Sequence, residues 1–192
     1  MNRRAFTLIE LMITISIMVL LASMSIPAFR GMMENANLSQ GGQLVASQIN
    51  LARQIASARN CNVEVRLIQL PAVNTDIRYR ALQLWAVTGG KLAPVTRLAP
   101  LPTGIIIADD RQRSPIFERI ADTDTMPVGG QTGDCAYAML QVTPSGRVSP
   151  AMDMNQMFFT VIPERAVDRG DFPNYVIVQI QPDTGTELIY RP

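Results

Sequence analysis

Arg3-Arg4-Ala5-Phe6-Thr7-Leu8-Ile9-Glu10-Leu11 decides how this 192-residue chain is read: a basic start, then one carboxylate near the head of an otherwise apolar segment. From Phe6 to Phe29 nothing else is charged. At about 1.5 Å per helical residue that run reaches roughly 36 Å, enough to cross a bilayer core. An unpaired acidic side chain at bilayer depth is costly, so such a residue usually marks a site with a partner. Glu10 is therefore a candidate functional residue.

Three readings of this N-terminus compete. A secretory signal would have a shorter apolar core and a small-residue cleavage site. Here the run is too long, Glu10 sits inside it, and Ala22-Ser23-Met24 only approximates a cleavage pattern. A plain membrane anchor, with Arg3 and Arg4 kept on the cytoplasmic side by the positive-inside tendency, explains length and orientation but not Glu10.

The third reading is a resemblance. Ala5-Phe6-Thr7-Leu8-Ile9-Glu10-Leu11-Met12 resembles the prepilin processing motif of type IV pilins and type II secretion pseudopilins. The resemblance implies a cut between Ala5 and Phe6 by a prepilin peptidase and methylation of the new Phe6 amine. It also implies an assembly role for Glu10 and a helix-kinking role for Pro27. The chain departs from the family in carrying Ala5 where Gly is usual, which keeps the side chain small. The implied partners are the peptidase, other pilin or pseudopilin subunits and the inner membrane. The implied placement is a single pass, with the N-terminus cytoplasmic and the C-terminal domain periplasmic.

The chemistry of that motif can be stated on its own terms. A free amino group on Phe6 would be a cation at the membrane interface, and burying it in a helical bundle requires an opposite charge. Glu10 supplies one, either within its own helix or, following the family, to the Phe6 amine of a neighbouring subunit. Pro27 removes a backbone donor and crowds the preceding turn. It is read either as a kink inside a continuous helix or as a helix end near Ala28.

Beyond Pro27 the apolar pattern becomes one-sided. Leu38, Val45, Ile49, Ala52 and Ala56 recur at helical spacing, opposite Gln40, Gln43, Asn50 and Gln54. Gly41-Gly42 interrupts this helix and predicts a bend or local break, and Asn60 is a suitable cap. From Cys61 the period changes to two. Strands are predicted over residues 62–70, 79–87, 104–108, 136–143, 157–162, 175–181 and 187–190. Thr88-Gly89-Gly90-Lys91, Pro144-Ser145-Gly146-Arg147 and Pro182-Asp183-Thr184-Gly185 supply the turns.

The expected fold is α+β and pilin-like, a long N-terminal helix packed on a small antiparallel sheet. Residues 1–5 form the leader and 6–29 the transmembrane and assembly helix. Residues 30–60 form an amphipathic helix continuing into the globular domain, and 61–192 a periplasmic β-rich domain. Within the family, the hairpins around Gly146 and Gly185 are similar to the C-terminal region of minor pseudopilins of the H type and their FimT-like relatives. The Ala5-Phe6 site and the Tyr190-Arg191-Pro192 ending also resemble a verrucomicrobial pseudopilin-like family called cassette protein D.

Composition argues against other classes. Formal charge is +1, and loss of Arg3 and Arg4 with the leader leaves 15 basic against 16 acidic residues. Lys91 is the only lysine, and the arginines are spread along the chain as solvated surface and ordinary ion pairs. No clustered basic face marks a nucleic-acid partner. Some FimT-like proteins bind DNA through an Arg-rich tail, but Gly185-Thr186-Glu187 stands where that tail would begin. DNA uptake is the runner-up function, and an anchored domain that never polymerises is a third.

No histidine is present, which removes the commonest general base and metal ligand. No catalytic residue, metal site or cofactor is expected. Asp109-Asp110 and Asp122-Thr123-Asp124 are read as part of a solvated surface loop over residues 109–134 rather than a calcium site. The methionines and Trp85 are read as packing groups. Cys61 and Cys135, the only cysteines, are read either as a disulfide or as two small buried residues.

Overall fold

The structure, a computed structural model, describes residues 7–71, 76–120, 124–129, 131, 133–169 and 174–191, with side chains for all of these except 24–30, 88, 168 and 169. The chain divides into two compact units, Met1–Ala36 and Asn37–Pro192.

One helix, α1 (Leu8–Arg59), belongs to both units. Its backbone is helical through Pro27, so the alternative of a helix end near Ala28 is not what forms. It stops where Asn60 enters the left-handed region, with φ 49°. There the Asn60 amide donates to the Ser57 carbonyl at 3.4 Å and the Cys61 amide to the Ala56 carbonyl at 3.2 Å. These two bonds satisfy carbonyls that the helix end would otherwise orphan.

The second unit is an antiparallel sheet with the last turns of α1 on one face. Its elements run β1 (Val63–Pro71), β2 (Ile77–Thr88), β3 (Lys91–Pro94), β4 (Ala99–Pro100), β5 (Ile105–Ile107), α2 (Phe117–Ile120), β6 (Asp124–Pro127), β7 (Asp134–Val142), β8 (Val148–Ser149), β9 (Phe158–Pro163), α3 (Glu164–Arg169), β10 (Val176–Ile180) and β11 (Glu187–Tyr190). The strand order is β11-β10-β9-β5-β2-β1-β7-β6, with β3 and β4 on β2 and β8 on β7. Every pairing is antiparallel, and all seven predicted strands are present.

The core follows from the two periodicities. Leu38, Val45, Ile49, Ala52 and Ala56 of α1 are buried against Val65 and Leu67 of β1, Leu82 and Leu84 of β2, Leu140 of β7, Phe159 of β9 and Val178 of β10. Alternation along the strands sends those residues to one face.

Gly41-Gly42 does not break the helix. A Cβ on Gly42 would stand 2.5 Å from Val176 Cγ1, and one on Gly41 2.9 Å from Ile105 Cγ2. Their missing side chains let the sheet approach the helix. The local cost in helix propensity accompanies a close approach of helix and sheet that a Cβ at either position would crowd.

Two further expectations are corrected. The stretch 109–134 is not simply a solvated loop, because Ile116, Phe117 and Ile120 enter the main core. The Phe117 ring lies 4.7 Å from Tyr79 and 5.9 Å from Phe159. The fully buried Ser114 accepts a hydrogen bond from the Thr160 amide at 2.9 Å. Nor are all arginines solvated. Arg66 is 6 % exposed, with its guanidinium between Trp85 and Tyr137, 4.2 and 4.3 Å from the ring centroids. It donates twice to Glu64 Oε2, at 2.9 and 2.7 Å. This cluster lies on the sheet face turned away from α1, where β6 brings Met126 over Ile68, Ala81 and Tyr137. Trp85 packs here, on the face opposite Leu82 and Leu84.

At the other side of the sheet, Arg80 of β2 grips Glu164 at the start of α3 through two bonds of 2.7 and 2.5 Å. That bonding holds the Glu164 carboxyl below its ordinary pKa against the opposing effect of burial. The stability it contributes is present above the ordinary carboxylate pKa and is lost as pH falls through the lowered one.

Candidate functional site

The segment that chemistry singles out lies in the first unit. Thr7 stands just before α1, and Glu10 is in its first turn. The Thr7 amide and hydroxyl donate to Glu10 Oε2 at 3.1 and 2.9 Å, and the Glu10 amide donates to Thr7 Oγ1 at 3.3 Å. This reciprocal pair is a capping box, satisfying two backbone donors that the helix start leaves over. It also places negative charge at the positive end of the helix dipole. The spacing Thr7-x-x-Glu10 carries the signal for it, and reading Glu10 solely as a partner for an amine overlooks Thr7. The carboxylate is thus oriented within its own chain, with Oε1 on the side not used by the cap.

Behind Glu10 the helix shows apolar side chains all round. Leu8, Ile9, Leu11, Met12, Ile13, Ile15, Ile17, Met18, Val19, Leu20 and Leu21 are each more than half exposed. The hydroxyls among them turn inward: Thr14 donates to the Leu11 carbonyl, Ser16 to Met12 and Ser23 to Leu20, all at 2.8 Å. No hydroxyl of the three therefore asks for water, as an apolar surrounding requires. Among the described residues no helix is long and apolar enough to cross a membrane. The predicted run continues to Phe29, over side chains outside the described ones. Ala5 and Phe6, the expected cleavage and methylation site, also lie outside the described residues.

The remaining sequence-marked residues are dispersed. Both cysteines are free thiols. Val63 pairs with Val142 and Ile68 with Tyr137, so Cys61 lies beyond one end of this ladder and Cys135 beyond the other. Five residue steps alone span about 16 Å, far beyond the reach of a disulfide. The disulfide reading is thereby corrected: Cys135 is buried in the outer cluster and Cys61 is half-buried against the main core. Burial, with Asp134 adding to it, pushes the Cys135 thiol up, which keeps it protonated and inert.

Asp110 is engaged by the Gln112 amide at 2.8 Å and by Arg113 at 2.7 Å, and Asp109 lies 3.9 Å from Arg78. Asp122 and Thr123 are outside the described residues. Among the described residues no group of three or more His, Cys, Asp or Glu side chains is placed to hold a metal ion.

Comparison with known proteins adds two findings. Residues 1–26 match the family model described as the prokaryotic N-terminal methylation motif. Among solved structures, the chain is similar to the minor pseudopilin EpsH from the Type 2 Secretion System of Vibrio cholerae. The identity is 16 %, the TM-score 0.46, and the match covers 81 % of this chain and 98 % of that one. No curated protein matches. The motif implies processing by prepilin peptidase and a membrane-anchored N-terminal segment. Residues 1–26 thus carry a prokaryotic N-terminal methylation motif, in a chain whose fold is α+β, with a long N-terminal helix and an antiparallel sheet.

Proposed function

We propose that this protein is a minor pilin or pseudopilin, a structural subunit of a type IV pilus or a type II secretion pseudopilus. Prepilin peptidase cuts between Ala5 and Phe6 on the cytoplasmic side, and the Phe6 amine is methylated. The first half of α1 anchors the subunit in the inner membrane until neighbouring helices replace lipid around it. Glu10 meets the Phe6 amine of the adjoining subunit and sets assembly register, and Pro27 lets the helix bend as it packs. The sheet domain stands on the periplasmic side.

The observation that carries this reading is the methylation motif over residues 1–26, at the head of a helix apolar on every side. A helix of that kind is stable only in lipid or inside a bundle. The capping box supports the role of Glu10, because a carboxylate already fixed at the helix start loses little further freedom on meeting a cation.

The test is the intact mass and N-terminal sequence of protein extracted from membranes in which its native peptidase is present. A mature chain starting at Phe6, with one added methyl group, is expected. A chain still starting at Met1 beside an active peptidase would leave only a plain anchor. A start between Met24 and Phe29 would mean a secreted soluble protein.

A further inference from the structure

The two ends of the sheet are finished differently. β6 ends it on one side, where the Thr125 amide is taken by the Asp124 carboxylate at 2.8 Å and Pro127 has no amide to give. Proline and a charged residue on a short strand are ordinary means of refusing a further strand. β11 ends the sheet on the other side with Leu188-Ile189-Tyr190, which holds neither. The flanking charges do not guard it. Glu187 accepts from Asn50 Nδ2 at 2.8 Å and Arg191 donates to the Ser39 hydroxyl, so both are tied back to α1.

The bonding pattern tells which backbone groups of β11 face outward. The Ile180 amide donates to the Met157 carbonyl and the Gln181 amide to the Thr186 carbonyl, both at 2.8 Å. Alternation along the ladder then has Leu188 and Tyr190 exchange bonds with Gln179 and Ile177 of β10, while the amides and carbonyls of Glu187 and Ile189 point away from the sheet. The side chains are open as well, with Leu188 41 %, Ile189 46 % and Tyr190 50 % exposed. Ile189 stands beside the buried Val178 on the α1 side, and Leu188 and Tyr190 lie on the face turned away from α1. There the half-buried Ile177 and Phe158 extend the apolar surface inward. Apolar groups thus line both faces of the sheet at this edge.

We propose that β11 is a docking edge for an extended strand of a different polypeptide, which continues the sheet. Outward amides and carbonyls along an edge are answered by another extended backbone. Because both faces of β11 are apolar, the incoming strand carries a run of at least about three apolar residues rather than an alternating pattern, with no proline at its centre. A second copy of this chain is the rival occupant, and the topology opposes it. Its β6 is blocked as described. Its β11 would pair antiparallel about a two-fold axis normal to the sheet, which reverses every element lying on the sheet face. The 37–59 segments of α1, which lie on that face, would then run in opposite directions. Two chains anchored in one membrane by the residues before those segments need them parallel. Excluding the two-fold pair therefore rests on the anchoring proposed above, whereas the open edge itself needs no membrane.

The test uses the full chain in detergent micelles and follows amide hydrogen exchange residue by residue. The probe is an acetylated, amidated peptide, Lys-Val-Ile-Val-Ile-Lys. In the free protein the Ile189 amide should exchange at least about tenfold faster than those of Leu188 and Tyr190. The peptide should slow Ile189 exchange saturably, again by at least about tenfold, and the same peptide N-methylated at every apolar residue should not. Ile189→Pro removes the outward donor and no bond to β10, a change that an edge strand tolerates. It should weaken binding of the fluorescently labelled peptide, read by anisotropy, at least about tenfold. Ile189→Lys, whose ammonium can reach solvent, should weaken it too, so the result does not hang on proline being accepted. An Ile189 amide already protected in the free monomer, no protection by the peptide, or equal binding of the methylated peptide overturns the docking edge. Ile189 protection that rises with protein concentration in the absence of peptide overturns the assignment to a different polypeptide and gives the edge to a second copy.

Discussion

Between Leu8 and Leu21, α1 exposes apolar side chains on every side, whereas between Leu38 and Ala56 the same helix keeps Leu38, Val45, Ala46, Ile49, Ala52 and Ala56 at 5 % exposure or less and shows Gln40, Gln43 and Gln54 to solvent. Both stretches satisfy the backbone equally. What differs is the surrounding each can accept: the first has no polar side to offer water, and the second has one apolar stripe matched to one sheet face. The difference locates the two jobs of the chain. Polar chemistry in the first half shrinks to Thr7 and Glu10 at its start, while the second half spends its sequence on fit.

The largest effect expected from that contrast is at Glu10. Glu10→Val should abolish incorporation into filaments, read by shearing and fractionation, while leaving membrane insertion intact or improved, because it removes the one charge from an apolar run. Normal incorporation of this variant would break the comparison, since the first half would then be an anchor and nothing more. An Asp at the same position keeps the charge but shortens its reach, and should give partial incorporation.

The second half is tested by its glycines. Gly42→Ala should lower the stability of the sheet domain by about 1–3 kcal/mol, as overpacking against a stiff β-branched side chain does. The added methyl would sit 2.5 Å from Val176 Cγ1 and 3.2 Å from its Cβ, and neither can swing away as the tip of a long side chain would. Chemical denaturation followed by Trp85 fluorescence measures it. Gly31→Ala is the control of opposite sign: a Cβ there meets nothing within 4 Å, so it should stabilise the helix by about 0.5–1 kcal/mol. If both substitutions stabilise, the close approach at Gly42 is not what holds the helix to the sheet.

These glycines also show where the sequence was readable and where it was not. Val45, Ile49, Ala52 and Ala56 announced the buried stripe through spacing alone, and all seven main strands followed from period-two runs bounded by turn residues. Gly41-Gly42 was misread because helix propensity is a local property, whereas the reason for the glycines lies 64 residues or more away in Ile105 and Val176. Phe117 was hidden in the same way. A four-residue helix among charged neighbours has too short a period to recognise, and its burial depends on Tyr79 and Phe159 arriving from other strands. Arg66 is the plainest case: nothing local distinguishes a cation between two rings from a solvated one. At the N-terminus the motif residues are legible, but spacing to Phe6 alone does not show that Thr7, three residues from Glu10, already engages its carboxylate.

The smallest effect separates those two roles of Glu10. Thr7→Val removes the hydroxyl of the capping box and should destabilise the start of α1 by about 1 kcal/mol, seen as faster hydrogen exchange of the amides from Leu8 to Leu11. Thr7→Ser should restore protection, because its hydroxyl can make the same two bonds. If Glu10 acts through a neighbour's amine, Thr7→Val should still assemble, since the charge remains and only its orientation within the free subunit is loosened. If Thr7→Val blocks assembly as fully as Glu10→Val does, then the cap itself is the structure that neighbouring subunits recognise. In that case the charge on Glu10 would matter chiefly for shaping the helix start.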